Sequence, residues 1–314
     1  MQENGLFDIL IVGGGPGGLS ALQWCAELGL TAILLEKETE FGGQLLQTHN
    51  PITNYLGTTA RNGRELRDAF LDRLADKGVI RLSGAEIVEA DLSSLSVHLN
   101  DGTAYSGRAI IIATGIRRRE LGIPGEREFR GRGILESGAK ERNEVADKHV
   151  VIVGGGDAAL ENAVILAERA ARVSVVHRRK AFTARRDFVE RASRNPKVAL
   201  ITETRMVSIH GNSKVESVRL EKFGSGEQST LETDAVLIRI GVLPNSGIIR
   251  GQIELDRAGY AVIDRNCATN MPNVFAIGDV ANPNTPTIAA AVGQGSIAVK
   301  TISNVLRECV DDRA

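Results

Sequence analysis

Two stretches of this chain carry nearly the same pattern. Residues 8–38, DILIVGGGPGGLSALQWCAELGLTAILLEKE, and residues 149–179, HVVIVGGGDAALENAVILAERAARVSVVHRR, each run from an apolar strand through a glycine turn into an Ala/Leu-rich helical segment and a second apolar strand. Each reads as a βαβ unit. The glycines fall as GxGxxG at Gly13, Gly15 and Gly18, with Pro16 opening the helix. The second set falls as GxGxxA at Gly154, Gly156 and Ala159, with Asp157 and Ala158 in the helix's first turn. The first glycine of such a loop allows a tight turn, the second lets backbone amides approach a pyrophosphate, and the third position lets helix and strand pack closely. The helix N-terminus behind the loop adds unpaired amides and a partial positive charge. A single loop of this kind is weak evidence; two, each with its flanking strands, predict an α/β fold with two Rossmann-like dinucleotide-binding domains.

The residues that end the second strand differ in sign. Glu36 stands 23 residues after Gly13, where a carboxylate accepts hydrogen bonds from ribose hydroxyls and repels a 2′-phosphate, so the first loop suits FAD or NAD. The matching place in the second unit is His177, followed by Arg178 and Arg179, with Arg185 and Arg186 close behind. Guanidinium groups pair with a 2′-phosphate in bidentate fashion, which favours NADPH over NADH there. Three further segments fit a flavin nucleotide at the first loop. FGGQL (41–45) offers open backbone beside a side-chain amide, AIIIATG (109–115) is a buried strand ending in small residues, and VFAIGDVA (274–281) ends a strand at Gly278 and Asp279, where a carboxylate can bind a polyol.

Composition narrows the classes of partner. Lys and Arg number 38 against 39 Asp and Glu, a net charge of −1, so no global field points to nucleic acid or an anionic membrane. No apolar run approaches the roughly 18 residues that span a bilayer, and MQENGLFD has neither a basic start nor an apolar core. A cytoplasmic protein is expected. Cys25, Cys267 and Cys309 are far apart, which gives no disulfide framework and no metal-ligand spacing.

Taken in order, VGGGPGGLSA, GGQL, ITNYLG, ATGIRRRELGIPGE, the second glycine loop, VVHRR, PNVFAIGDVA and AAVGQGSIA resemble the low-molecular-weight thioredoxin reductase-like flavoproteins across nearly the whole chain. That group includes thioredoxin reductases and thioredoxin-like ferredoxin–NADP reductases. The resemblance implies a homodimer of three-layer ββα domains. A discontinuous FAD domain (1–117 and 242–314) flanks an NAD(P)H domain (118–241). It further implies FAD contacts from Glu36, Lys37, Gly42, Gly43, Gln44, Asn54, Ala113, Thr114, Gly115, Gly278 and Asp279. Gln294, Gly295 and Ser296, placed at the start of the last helix, would face the flavin. Ile240 and Gly241 join the second loop in the NADPH site. His49, in the segment after GGQL, is the one histidine expected near flavin, although a structural role is the stronger expectation for it.

The chain departs from that pattern in two places. Thioredoxin reductases carry a CxxC disulfide shortly after a GRG-like segment; here GRG is residues 131–133, and the two cysteine positions hold Ser137 and Lys140 within SGAKERNEVADKHV. Neither can exchange with a disulfide, because that chemistry needs a thiolate. Bacillithiol-disulfide reductases, which also lack CxxC, carry a cysteine in the first loop where this chain has Gly17. The second departure is Thr183, where the family places a third arginine after HRR. The expected activity is a flavin reductase that passes electrons from NADPH, or NADH, directly to a ferredoxin- or flavodoxin-like protein or a small oxidant. Two alternatives stand beside it: a low-molecular-weight disulfide reductase using a lone cysteine, and a non-enzymatic redox sensor.

Overall fold

The computed structural model describes residues 6–75 and 77–311, with backbone only for 308–311. The chain divides into two compact units, one made of 1–117 and 243–314 and the other of 118–242.

In the first unit β1 (Leu6–Val12) runs into α1 (Pro16–Leu28) and returns as β2 (Ala32–Glu36). The proline sits at the first helical turn, where its missing N–H costs nothing. Gly29 ends the helix in the left-handed conformation, φ 69°, the usual helix stop. Next come α2 (Gly63–Asp72), β3 (Ile80–Ser83), β4 (Ile87–Asp91), β5 (Ser96–Leu99) and β6 (Ala104–Ile112). β17 (Val274–Ala276) and α6 (Ile288–Asp311) close the unit. The strand order is β3-β2-β1-β6-β5-β4, with β17 also on β6, and β1, β2, β3, β6 and β17 pair in parallel. Ile9, Leu10 and Ile11 have no exposed surface. That continuous apolar run is what a parallel strand covered on both faces requires. One face packs on α1 and α6 through Leu19, Leu22, Ala298 and Ile302. The other packs on the β4–β5 arm and the 249–261 segment through Leu10, Val97, Ile249 and Ala261.

The second unit begins with β8 (Ile134–Leu135) and a single turn, α3 (Gly138–Glu141). β9 (His149–Gly154), α4 (Asp157–Ala167) and β10 (Arg172–Val176) repeat the first βαβ, followed by α5 (Arg186–Arg194) and β11 (Val198–Ile201). A meander of β12 (Thr204–Gly211), β13 (Val215–Lys222) and β14 (Gln228–Glu232) precedes β15 (Ala235–Arg239). The parallel sheet is ordered β11-β10-β9-β15-β8, and the meander forms a separate three-stranded antiparallel sheet. α4 and α5 cover one face through Leu160, Ala163, Leu166 and Phe188, and the meander covers the other through Met206, Ile209, Val218 and Leu220. That is the three-layer ββα arrangement the sequence implied. β7 (Ile116–Arg118) and β16 (Val242–Pro244) are short strands at the two chain crossings.

Candidate dinucleotide-binding sites

In the first loop the turn and the packing glycine are forced by neighbours. Gly13 has φ 111°, and a Cβ there would lie 2.3 Å from the Ala113 carbonyl oxygen; a Cβ on Gly18 would lie 1.9 Å from the Gly13 carbonyl oxygen. Gly15 is different: nothing lies within 4 Å of where its Cβ would be. The fold itself does not exclude a side chain at Gly15, so the open space above the loop is the cradle that a close-lying pyrophosphate needs. The same contrast recurs in the second loop. A Cβ on Gly154 would meet the Arg239 carbonyl oxygen at 2.2 Å, whereas one on Gly156 would meet only the Thr183 hydroxyl at 4.0 Å.

Glu36, buried at 8% exposure, ends β2 and turns its carboxylate back onto the loop. Oε2 accepts from Gly14 N–H at 2.7 Å and Oε1 from Glu38 N–H at 2.9 Å. A carboxylate has about four lone-pair positions, so two bonds leave capacity for a ribose diol. Phe41, which the sequence reading missed, packs against Gly14, where a Cβ would fall 2.7 Å from its ring. Lys37 is exposed beside Glu38. Gly42 and Gly43, at φ 129° and 52°, enter a 3₁₀ turn (Gly43–Gln47). A Cβ on Gly43 would come 3.1 Å from Gly15 Cα, so this turn borders the first loop. Gln44 donates to the Ile116 carbonyl at 2.9 Å. Asn54 is exposed, and His49 Nε2 is buried with no hydrogen-bond partner among the described residues.

The strand-end segments converge on the same edge of the sheet. Ala113 follows β6 beside Gly13, and the Thr114–Gly115 turn is fixed by Asn245. Its amide Nδ2 donates to Thr114 O at 2.8 Å, its backbone N–H donates to Gly115 O at 2.9 Å, and its carbonyl accepts from Thr114 Oγ1 at 2.8 Å. Asn245 was also missed; its signal in the sequence is only the PN that follows β16. Gly278 and Asp279 form a 3₁₀ turn after β17. The Asp279 carboxylate is half-buried, has no hydrogen-bond partner among the described residues, and is pushed above the usual carboxylate range by burial. An acid held in that state suits the hydroxyls of a polyol.

The last helix departs from expectation. α6 begins at Ile288, so Gln294, Gly295 and Ser296 lie across its second and third turns and not at its start. Gln294 Oε1 accepts from Gly278 N–H at 2.7 Å and so steadies the turn that carries Asp279. Gly295 is a packing residue: a Cβ there would fall 2.8 Å from Gly17 O and 2.9 Å from Ala21 N on α1. Ser296 Oγ donates back to Gly293 O at 2.7 Å.

In the second unit the basic cluster is sorted by its contacts. His177 is buried, its ring packed on Gly155, stacked on Phe182 at 5.1 Å and bonded through Nε2 to Ala181 O at 3.1 Å. Burial, and after it the nearby Arg179 and Arg178 charges, hold its pKa below the ordinary histidine value. Arg185 is engaged rather than free: its Nε donates to Asp157 Oδ2 at 2.9 Å, and its guanidinium covers the Phe188 ring at 4.5 Å. Thr183 donates through N–H and Oγ1 to Gly155 O at 2.8 and 3.2 Å, closing the 177–185 segment onto the glycine loop. Arg178 and Arg179 remain exposed, with no side-chain partner among the described residues. Asp157 and Ala158 open α4, Ala159 is buried beneath the loop, and Ile240 and Gly241 follow β15.

Residues 7–295 match the family model for pyridine nucleotide-disulphide oxidoreductases. The chain belongs to that family. It is 35% identical over 294 residues to a thioredoxin reductase of Mycolicibacterium smegmatis, covering 93% of this chain and 94% of that one. With the thioredoxin reductase of Treponema pallidum the identity is 33%, covering 96% and 97%. The crystal structure of Lactococcus lactis thioredoxin reductase superposes with a TM-score of 0.82 at 29% identity, covering 96% of this chain and 99% of that one. The chain is accordingly an oxidoreductase of the thioredoxin reductase-like type.

Ser137 and Lys140, where the resemblance implied a dithiol, lie on one short turn. Ser137 precedes α3 and Lys140 lies within it, with Lys140 paired to Glu136. Glu141 is buried, and its carboxylate accepts from the N–H groups of Glu136 and Ser137 at 3.1 and 2.7 Å. The thiols elsewhere are shielded. Cys25 is fully buried and pushed up to about 12 by burial and then by the Asp8 charge. Cys267, 2% exposed, is pushed up to about 11 by burial and then by Asp264. The Cys309 side chain lies outside the described residues. Among the described residues no group of His, Cys, Asp or Glu can hold a metal ion, and no helix is long and apolar enough to cross a membrane.

Proposed function

We propose that the chain is an NADPH-dependent FAD reductase that delivers electrons to an acceptor without a dithiol relay. The thioredoxin reductase family uses FAD and NADPH, and the residues present suit both. FAD, when bound, supplies the capacity to accept a hydride and return electrons. Glu36 would bind its ribose, the Gly13–Gly18 loop and the α1 N-terminus its pyrophosphate, and Asp279 its polyol chain. The second loop would seat the NADPH pyrophosphate, while Arg178 and Arg179, uncommitted to other side chains, would pair with its 2′-phosphate. On this reading the FAD domain is 1–117 with 242–314, the NADPH domain is 118–241, and the protein is a homodimer, as thioredoxin reductases typically are.

The observation that carries the proposal is Ser137 and Lys140 at the position where the resemblance implies a dithiol, together with the burial of the two described thiols, Cys25 and Cys267. A thiol with its pKa near 11 or 12 holds a negligible thiolate fraction at neutral pH, so neither Cys25 nor Cys267 can replace the relay. The acceptor is then a one-electron carrier protein or a small oxidant. The test is anaerobic. The purified protein should be yellow, bleach on adding NADPH, and recover its colour within seconds when ferredoxin, flavodoxin or a quinone is added. Replacing Cys25, Cys267 and Cys309 together with serine should leave that turnover intact. A colourless or NADPH-inert protein rejects the reductase reading, and loss of turnover in the triple variant rejects direct delivery.

A further inference from the structure

We propose that Arg118 and Arg239 form a binding site for an oxyanion, the carboxylate or phosphate group of a small molecule. Both guanidiniums converge on one backbone oxygen: Arg239 Nη2 donates to Glu136 O at 2.7 Å, and Arg118 Nη1 donates to the same atom. Arg239 Nη1 also donates to Ile238 O at 2.9 Å. Neither guanidinium is in a contact ion pair among the described residues. Glu141, whose charge both arginines feel, and Glu136, whose charge Arg118 feels, offset part of this charge from a distance, but their carboxylates are engaged elsewhere: Glu136 holds Lys140, and Glu141 holds the Glu136 and Ser137 backbone N–H groups. Two like charges sharing one neutral acceptor repel each other, and partial burial sharpens the repulsion. Arg239 is pushed down to about 10, first by burial and then by the Arg118 charge, and Arg118 is lowered by burial. An oxyanion resting against both would relieve the repulsion and meet donors left unused, since each guanidinium has five N–H groups arranged for bidentate pairing.

The place also suits a ligand. Arg239 ends β15 and pairs in register with Gly154, the first glycine of the second loop, and β9 and β15 flank the point where strand order reverses. Open α/β sheets bind ligands outside the carboxyl ends of their strands at that point. The Glu136 carbonyl immediately precedes Ser137, so the anion would sit beside the position where relatives carry their dithiol. Two sources share this chemistry: a phosphate of the pyridine dinucleotide, or the acidic group of a separate small acceptor. The oxyanion site does not depend on the reductase reading.

The test is isothermal titration of the full-length protein with oxalate and with pyrophosphate, comparing wild type with Arg118→Gln, Arg239→Gln and, as a control, Arg219→Gln on the exposed face of β13. The expected result is binding that weakens about tenfold or more in each of the first two variants, as loss of a charge-assisted contact implies, and that is retained in Arg219→Gln. Equal affinity in wild type, Arg118→Gln and Arg239→Gln overturns the proposal. Should Arg239→Gln fail to fold, as judged by circular dichroism, Arg118→Gln decides, because the hydrogen bond of the Arg118 side chain is to a single carbonyl oxygen. Repeating the oxalate titration on protein saturated with NADP⁺ separates the sources. Competition, with weaker NADP⁺ binding in both variants, assigns the anion to the dinucleotide; undiminished oxalate binding assigns it to a separate acidic molecule.

Discussion

The two glycine loops share one plan and are closed in opposite ways. In the first, the acid ending β2 reaches back and accepts from Gly14 N–H, so the loop is braced by a negative charge with spare lone pairs. In the second, the ring of His177 lies flat on Gly155 and the following segment folds back through Thr183. The middle glycine is required in both cases, but by a carboxylate stem and Phe41 in one and by an imidazole in the other. The packing position differs too: Gly18 leaves no room for a methyl group, whereas its counterpart Ala159 carries one and is fully buried. One loop is therefore bordered by a buried acid and the other by exposed arginines with no side-chain partner among the described residues.

The comparison breaks most sharply at Gly18. Gly18→Ala places a methyl against the Gly13 carbonyl and should cost about 1–3 kcal/mol by the usual toll of overpacking, with purified protein that is largely colourless. Ala159→Gly in the matching place should cost only about 1 kcal/mol, with NADPH oxidation kept. Denaturant unfolding of the two variants checks this, and a yellow, fully stable Gly18→Ala would contradict it. Next in size, Arg178→Gln with Arg179→Gln should raise the KM for NADPH roughly tenfold to a hundredfold, the loss of charge-assisted bonds, while that for NADH moves little. Equal effects on both cofactors would mean that these arginines do not read the 2′-phosphate.

A smaller effect separates flavin binding from stability at Asp279. Its folded pKa is raised, so the charged form is disfavoured in the native state, and stability is lost as pH rises through that range. Asp279→Asn should therefore unfold at a higher temperature than wild type near pH 7 in flavin-free protein, the difference fading as pH falls below the ordinary carboxylate value. The same variant should bind FAD about tenfold more weakly. Smallest is the histidine contribution of the second unit. His149 and His177 are both held below their ordinary value by burial, so the unfolded chain protonates first and stability falls as pH drops below about 6.5. His149→Gln should flatten the pH 5–7 dependence of thermal unfolding; an unchanged slope would remove His149 from the account.

Much of the fold was legible because its signals are local. Uninterrupted apolar runs mark β1 and β9 as doubly covered strands, and glycine spacing marks the turns that follow them. Glu36 was legible for the same reason, since its offset from Gly13 is fixed by one helix and one strand. Other features were not. The start of α6 at Ile288 was hidden because its first residues, IAAAVGQGS, read equally as a glycine-rich loop, and only packing on α1 shows that Gly295 belongs inside the helix. Arg185 looked like a free phosphate ligand until the fold placed Asp157, 28 residues earlier, against it. Phe41 and Asn245 carry only weak local signals, the FGG and the PN they stand in, which do not say what their side chains touch.

By itself the sequence determined that this chain builds two glycine loops of the dinucleotide-binding type, puts an acid beside one and arginines beside the other, and holds no CxxC pair. Those are matters of residue type and short spacing, which backbone geometry translates directly. Only the tertiary structure decided which polar groups are already satisfied and which remain free, because that depends on partners brought together from far along the chain. Arg239 reaches a carbonyl 103 residues away and meets Arg118 there, and no pattern within either segment could have announced it.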